Sequence, residues 1–148
     1  MEYTIRQAVP SDMDNVLALV QEFHTESLND FGMSCNEEKS KALMPQVMRS
    51  MIVLEVEGKL VGLIAGLIVE ALTGIGLTFQ EIMWYVSKKH RRYGIKLYRE
   101  LERYCLQWGV NSIVMANMGD KRDESFHKFY LKEGFRHIET QYMKKIGG

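Results

Sequence analysis

The chain is poor in cysteine: only Cys35 and Cys105 occur in 148 residues. Two cysteines cannot build a disulfide framework, so reduced thiols in a cytoplasmic setting are the simpler reading. Net charge is also lacking. Nineteen Lys and Arg balance nineteen Asp and Glu. A general polyanion-binding surface, and with it a nucleic-acid partner, is not expected, and any basic patch must be local. The longest apolar stretch, "LVGLIAGLIVEAL", is too short and too rich in glycine for a membrane span, and reads instead as a buried strand. The N-terminal "MEYTIRQAVP" has no apolar h-region, so no secretory signal is expected. No Cys-x-x-Cys pattern occurs. His24, His90, His127 and His137 lack metal-ligand spacing, so no metal is expected. Neither a Walker loop nor a dinucleotide-binding glycine fingerprint is present.

The remaining composition is that of an ordinary globular chain, 46% hydrophobic and 26% charged, of a size that favours one domain over residues 1–148. "YTIRQAV" alternates and predicts a strand. A helix follows over 10–24, with Ser11 as cap and Met13, Val16, Leu17, Val20 and Phe23 at helical spacing. Residues 25–34 read as a loop, and 36–50 as a second helix that Pro45 must start, break or kink. "IVLEV", the turn "EGK" and "LVGLIAGLIV" make a hairpin. Residues 71–79 read as a glycine-containing connection and "QEIMWYV" as the next strand. A helix is predicted over 95–108, ended by Gly109. "NSIVMANM" is a strand, Asp123 a cap for the helix "ESFHKFYLKEG", and "FRHIETQYMKKI" a last strand. The order β-α-α-β-β-β-α-β-α-β predicts an α/β fold (α+β). Its mixed, mostly antiparallel central sheet carries helices on both faces.

Lys88, Lys89, His90, Arg91 and Arg92 crowd together just before a predicted helix start, with Gly94 behind them. Helix N-termini offer unpaired N–H groups and positive potential, and glycine permits close backbone approach. Such a constellation suits phosphate. It equally suits a solvated charge run at a helix end, and these residues alone do not separate the two.

"VSKKHRRYGIK" resembles the acetyl-CoA motif of the GNAT superfamily of N-acetyltransferases, Gln/Arg-x-x-Gly-x-Gly/Ala after a strand ending in valine. Arg91, Gly94 and Lys96 take the three motif positions. "FHKFYLKEGF" resembles the family's second hallmark, a helix carrying Phe-Tyr-x-x-x-Gly-Phe. The resemblance implies an acyl-CoA-dependent N-acetyltransferase that passes an acetyl group directly from acetyl-CoA to an amine on a small molecule or protein. It implies cofactor contacts from the backbone of Tyr85 and Val86, from the turn Arg91, Arg92, Tyr93, Gly94, Ile95 and Lys96, and from Asn117 on the neighbouring strand. Backbone N–H groups freed by a splay or bulge in that strand would polarise the thioester.

Tyr130 matches the family's general acid, against a plain role as a core aromatic beside Phe126 and Phe129. Glu81 is the candidate general base, against an ordinary charged residue at a strand start. Period two would put it on one face with Met83 and Tyr85. Cys105 reads as a buried thiol, and Met44, Met48 and Met51 as core or rim packing, against a role lining an acceptor pocket.

Two features depart from the family pattern. Lys96 stands where glycine or alanine is usual; a flexible point charge there is expected to turn outward and add a phosphate contact. The single strand-like stretch after Phe135 leaves acceptor recognition incomplete or shared across a homodimer. These departures keep a second reading open, a catalytically silent fold that binds CoA or docks a partner. The mixed charges at Glu26, Asp30, Glu37 and Glu38 against Lys39, Lys41 and Arg49 hint at a cationic acceptor.

Overall fold

A computed structural model describes residues 2–28, 35–117 and 123–147. The chain forms two compact units, Met1–Met115 and Ala116–Gly148. The first holds a five-stranded sheet in the order β1-β2-β3-β4-β5: Tyr3–Gln7, Met51–Val56, Lys59–Glu70, Leu77–Val86 and Ser112–Val114. The first four strands are antiparallel, and β5 joins β4 in parallel.

Alternation assigns the two faces. Met51, Val53, Leu63, Ala65, Met83 and Tyr85 bury against α1 (Met13–Phe23) and α2 (Glu37–Met48) through Val16, Leu19, Met44 and Met48. On the other face α3 (Gly94–Gln107) packs across β1 to β4 with Leu97, Tyr98, Leu101 and Cys105 buried. Tyr98 meets Trp84 at a ring distance of 6.0 Å. Cys105 is fully buried, and burial pushes its thiol up to about 11, as suits a packing residue.

Several elements differ from the sequence expectation. Ser11 does not cap α1. Pro10 opens a single 3-10 turn, Pro10–Asp12, and Asp12 accepts from the Val9 N–H at 2.8 Å. Asp12 is buried and takes a two-pronged contact from Arg6 at 2.8 and 3.0 Å. The Arg6 guanidinium holds its carboxyl below the usual range. The predicted loop at 25–34 begins as helix, because α1 runs on into a π-helical turn, His24–Leu28; residues 29–34, with Asp30, lie outside those described. Pro45 sits inside α2 without ending it, flanked by the buried Met44 and Met48. Asn36 caps that helix by accepting from the Lys39 N–H at 3.1 Å. The hairpin turn is as expected, with Glu57 and Gly58 both at positive φ. The connection after it shrinks to 71–76, since β3 and β4 extend to pair Glu70 with Leu77.

In the second unit, α4 (Asp123–Lys132) is the described helix. The cap expected from Asp123 rests on a side chain outside those described. Residues 135–147 form no strand, contrary to expectation. Ile138, Tyr142, Met143 and Ile146 are exposed, so no apolar face of this stretch is buried against a neighbouring strand.

Candidate active site

The centre of interest is β4 and the turn after it. Ala65 pairs with Met83, yet the next residue, Gly66, pairs with Glu81, so Ile82 is an extra residue in β4. Such a bulge leaves one residue out of the ladder and kinks the strand. The reason is local. A Cβ on Gly66 would lie 2.3 Å from the Gln80 carbonyl oxygen and 2.7 Å from the Phe79 ring, so only glycine lets the strands approach there. Ser50 Oγ fixes the same point by donating to the Gly66 carbonyl at 2.5 Å.

The bulge removes the period-two relation that would place Glu81 with Met83 and Tyr85. Glu81 is half-buried, and desolvation pushes its carboxyl from 4.5 up to about 8. A carboxyl near neutrality is the property a general base needs.

On the far side of β4 the pairing with β5 covers Thr78 to Gln80 and stops. Among the described residues, β4 from Glu81 to Val86 is therefore laddered to β3 alone. The Val86 carbonyl accepts from Arg91 Nε at 3.0 Å, and an edge with no neighbouring strand is where an extended amide-bearing ligand can add.

A 3-10 helix, Lys88–Tyr93, leads straight from β4 into α3. The bare helix start expected from sequence is thus partly satisfied: the Gly94 N–H is committed to the Arg91 carbonyl. The cations divide. Arg91 turns to β4, where its Nε donates to the Val86 carbonyl at 3.0 Å and its Nη2 pairs with Glu26. Arg92 lies over the Tyr93 ring at 4.7 Å and donates to the Lys89 carbonyl. Lys96 sits 4.9 Å over the Tyr3 ring and donates to its hydroxyl at 3.3 Å. Lys88 and Lys89 are exposed.

Gly94 provides a test of whether a phosphate group fits. Its φ of −57° is ordinary helix, and a Cβ there would meet nothing within 4 Å. Among the described residues nothing demands glycine at 94, and open space at a helix start beside several cations fits the pyrophosphate of a coenzyme. His90 adds a buried Nδ1 without a hydrogen-bond partner. Among the described residues no group of three or more His, Cys, Asp or Glu could hold a metal ion.

Sequence reasoning missed a cluster where α1 meets β4. The Tyr85 hydroxyl lies 2.7 Å from both Glu22 Oε2 and Glu26 Oε2. Ser87 Oγ donates to Glu22 at 2.6 Å. Burial and the two carboxylates push the phenol well above its usual range, so it stays protonated. The signal available was the i, i+4 spacing of Glu22 and Glu26.

The structure thus brings Tyr85, Val86 and Arg91 together, with Glu81 on the same strand and Tyr93, Gly94, Ile95 and Lys96 at the helix start. Asn117 and Tyr130 belong to the second unit. There Tyr130 is buried among Phe126, Phe129 and Phe135, and its hydroxyl donates to the Ala116 carbonyl at 2.8 Å.

A mixed sheet with a bulged, half-open fourth strand running into a basic turn is the acetyltransferase type of fold. The profile of the GNAT acetyltransferase family matches residues 14–135, and the chain belongs to that family. Solved structures agree at the level of fold. An aminoglycoside acetyltransferase from an uncultured soil metagenomic sample is 20% identical, with a TM-score of 0.76 over 99% of this chain and 100% of its own. A ribosomal-protein-alanine N-acetyltransferase from Brucella melitensis biovar Abortus 2308 is 17% identical at a TM-score of 0.76, with the same coverage. Glucosamine-6-phosphate N-acetyltransferase from Arabidopsis thaliana is 17% identical at 0.72, again over 99% and 100%. No curated protein matches the chain. No helix among the described residues is long and apolar enough to cross a membrane.

Proposed function

We propose that this protein is an acetyl-CoA-dependent N-acetyltransferase that moves the acetyl group directly to an amine acceptor. The observation that carries the reading is β4. Among the described residues it is bulged at Ile82, laddered on one side only along Glu81 to Val86, and ends at a cationic turn whose glycine no neighbour requires.

Acetyl-CoA, when bound, supplies the acetyl thioester. The open edge of β4 at Tyr85 and Val86 would pair with the amides of the pantetheine arm. Arg91, with Arg92, Lys88 and Lys89 near it, would hold the pyrophosphate beside Gly94. The backbone N–H released at the bulge would face the developing charge on the carbonyl oxygen, where fixed donors are most effective. Glu81, with its carboxyl near 8, is suited to take a proton from the acceptor ammonium, directly or through water. Tyr130, whose hydroxyl donates to the Ala116 carbonyl, would give up that bond to return a proton to the leaving thiolate.

The test is to mix the purified protein with acetyl-CoA and a panel of small amines and N-terminal peptides, and to follow thiol release. Turnover that saturates in acetyl-CoA and depends on an amine is the expected result. Saturable CoA binding without turnover on any amine would favour a silent CoA-binding fold instead.

A further inference from the structure

We propose that Glu26 is a positioning residue for donor binding, acting through Arg91. The inference rests on the reading of Arg91 as a phosphate ligand.

Arg91 is held at two points and lies against a third group. Its Nε donates to the Val86 carbonyl, its Nη2 pairs with Glu26 Oε1, and its guanidinium lies 5.8 Å from the centre of the Tyr85 ring. A guanidinium has five N–H groups. The two contacts spend Nε–H and one Nη2 hydrogen, leaving the Nη1 edge to a ligand. The side chain is only one-third exposed, so its orientation is set before any ligand arrives.

Glu26 is itself fixed by its other oxygen, which lies 2.7 Å from the Tyr85 hydroxyl. Its place on the π-helical turn after α1 supplies that geometry, since the turn brings Glu22 and Glu26 to the same hydroxyl. The chain of contacts therefore runs from the end of α1, through Glu26, to the arginine at the mouth of α3. Two opposing effects follow. Glu26 offsets part of the Arg91 charge, which weakens attraction for phosphate. It also removes the rotamer freedom that a long side chain must otherwise lose on binding. The second effect dominates because both ion-pair partners are partly solvated, so the charge offset is screened, whereas the orientation is retained.

The experiment is calorimetric titration with CoA of the wild type, Glu26→Ala, Glu26→Gln, Arg91→Ala and the double variant Glu26→Ala/Arg91→Ala. Glu26→Ala is expected to weaken CoA binding by about 3- to 10-fold, the scale of losing preorganisation of one side chain. Glu26→Gln keeps an acceptor for Nη2 and should recover most of that loss. In the Arg91→Ala background the Glu26 effect should vanish, because nothing is left to position. Tighter or unchanged binding in Glu26→Ala overturns the proposal, as does an equal loss with and without Arg91, which would mark a merely structural role. If Arg91→Ala itself leaves CoA affinity unchanged, the phosphate reading of Arg91 fails first, and the inference with it.

Discussion

Glu81 stands opposite Gly66 across the β3–β4 ladder, one residue out of step with Met83 opposite Ala65. The slip depends on the missing side chain of Gly66, whose space the Gln80 carbonyl and Phe79 ring already occupy. Adding one methyl group there must push the strands apart or undo the bulge. Gly66→Ala is expected to cost about 1–3 kcal/mol or more of stability, the usual price of overpacking. It should also lower kcat beyond what the unfolded fraction explains. Urea melts and single-turnover rates on the same samples would show it; a stable, fully active Gly66→Ala would mean the bulge has no part in the chemistry.

The raised carboxyl of Glu81 has a stability consequence with a definite sign. Its value in the fold, about 8, lies above the ordinary 4.5, so the folded state favours the protonated form. The contribution is fully present below about 4.5 and is lost as pH rises towards 8. Glu81→Gln cannot ionise. It should melt higher than wild type at pH 9, and the difference should disappear below about pH 4.5. In activity, the wild type should show an ascending limb of kcat/KM towards pH 8 that the Gln variant lacks. Parallel melting curves at both pH values would remove the perturbation.

Gly94 separates function from stability. Its backbone is helical and its surroundings are open, so Gly94→Ala should stabilise the free protein by about 0.4–1 kcal/mol. The same methyl group would stand where the pyrophosphate comes close, so CoA affinity should fall. A higher melting temperature with unchanged CoA affinity would show that no ligand approaches that position.

Tyr130→Phe removes a hydroxyl that donates to the Ala116 carbonyl. The variant should therefore lose about 1 kcal/mol of stability, the net worth of one such bond. If the phenol is also the acid, kcat should fall by about 100-fold when chemistry limits turnover, with CoA affinity retained. The loss should shrink with an acyl donor whose thiol is more acidic. A variant that is less stable but equally fast would leave Tyr130 as packing alone.

Asp12→Ala removes a buried carboxylate that accepts three hydrogen bonds. It strips the Arg6 guanidinium of its two-pronged partner and the Val9 N–H of its acceptor. A loss on the order of 2 kcal/mol is expected, between an exposed and a fully buried pair. Because Arg6 depresses the Asp12 carboxyl, the wild type has this stabilisation above the ordinary carboxyl value of 3.8 and loses it as pH falls further. Melts of both proteins should converge at low pH.

Much of the fold was legible because it is written in local chemistry. Alternation marked β1 and β2. Helical spacing at Leu97, Leu101 and Cys105 marked the buried face of α3, and Glu57-Gly58-Lys59 marked a turn. The order of these elements, with Arg91, Gly94 and the Phe129–Tyr130 pair at their positions, pointed to the family. What tertiary structure decided lies where distant segments meet. Ser11 does not cap α1 because a 3-10 turn at Pro10–Asp12 precedes the helix, and the Asp12 carboxylate is held by Arg6, on another element, and by the Val9 N–H. The last strand did not form because a strand needs a paired partner, and its own residues cannot supply one. Period two failed at Glu81 because β3 offers no room at Gly66. The tie of Glu26 to Arg91 joins residues 65 positions apart. Sequence periodicity reports which face of an element is apolar; it carries no distance between elements, and ion pairs, bulges and perturbed carboxyls are set by those distances.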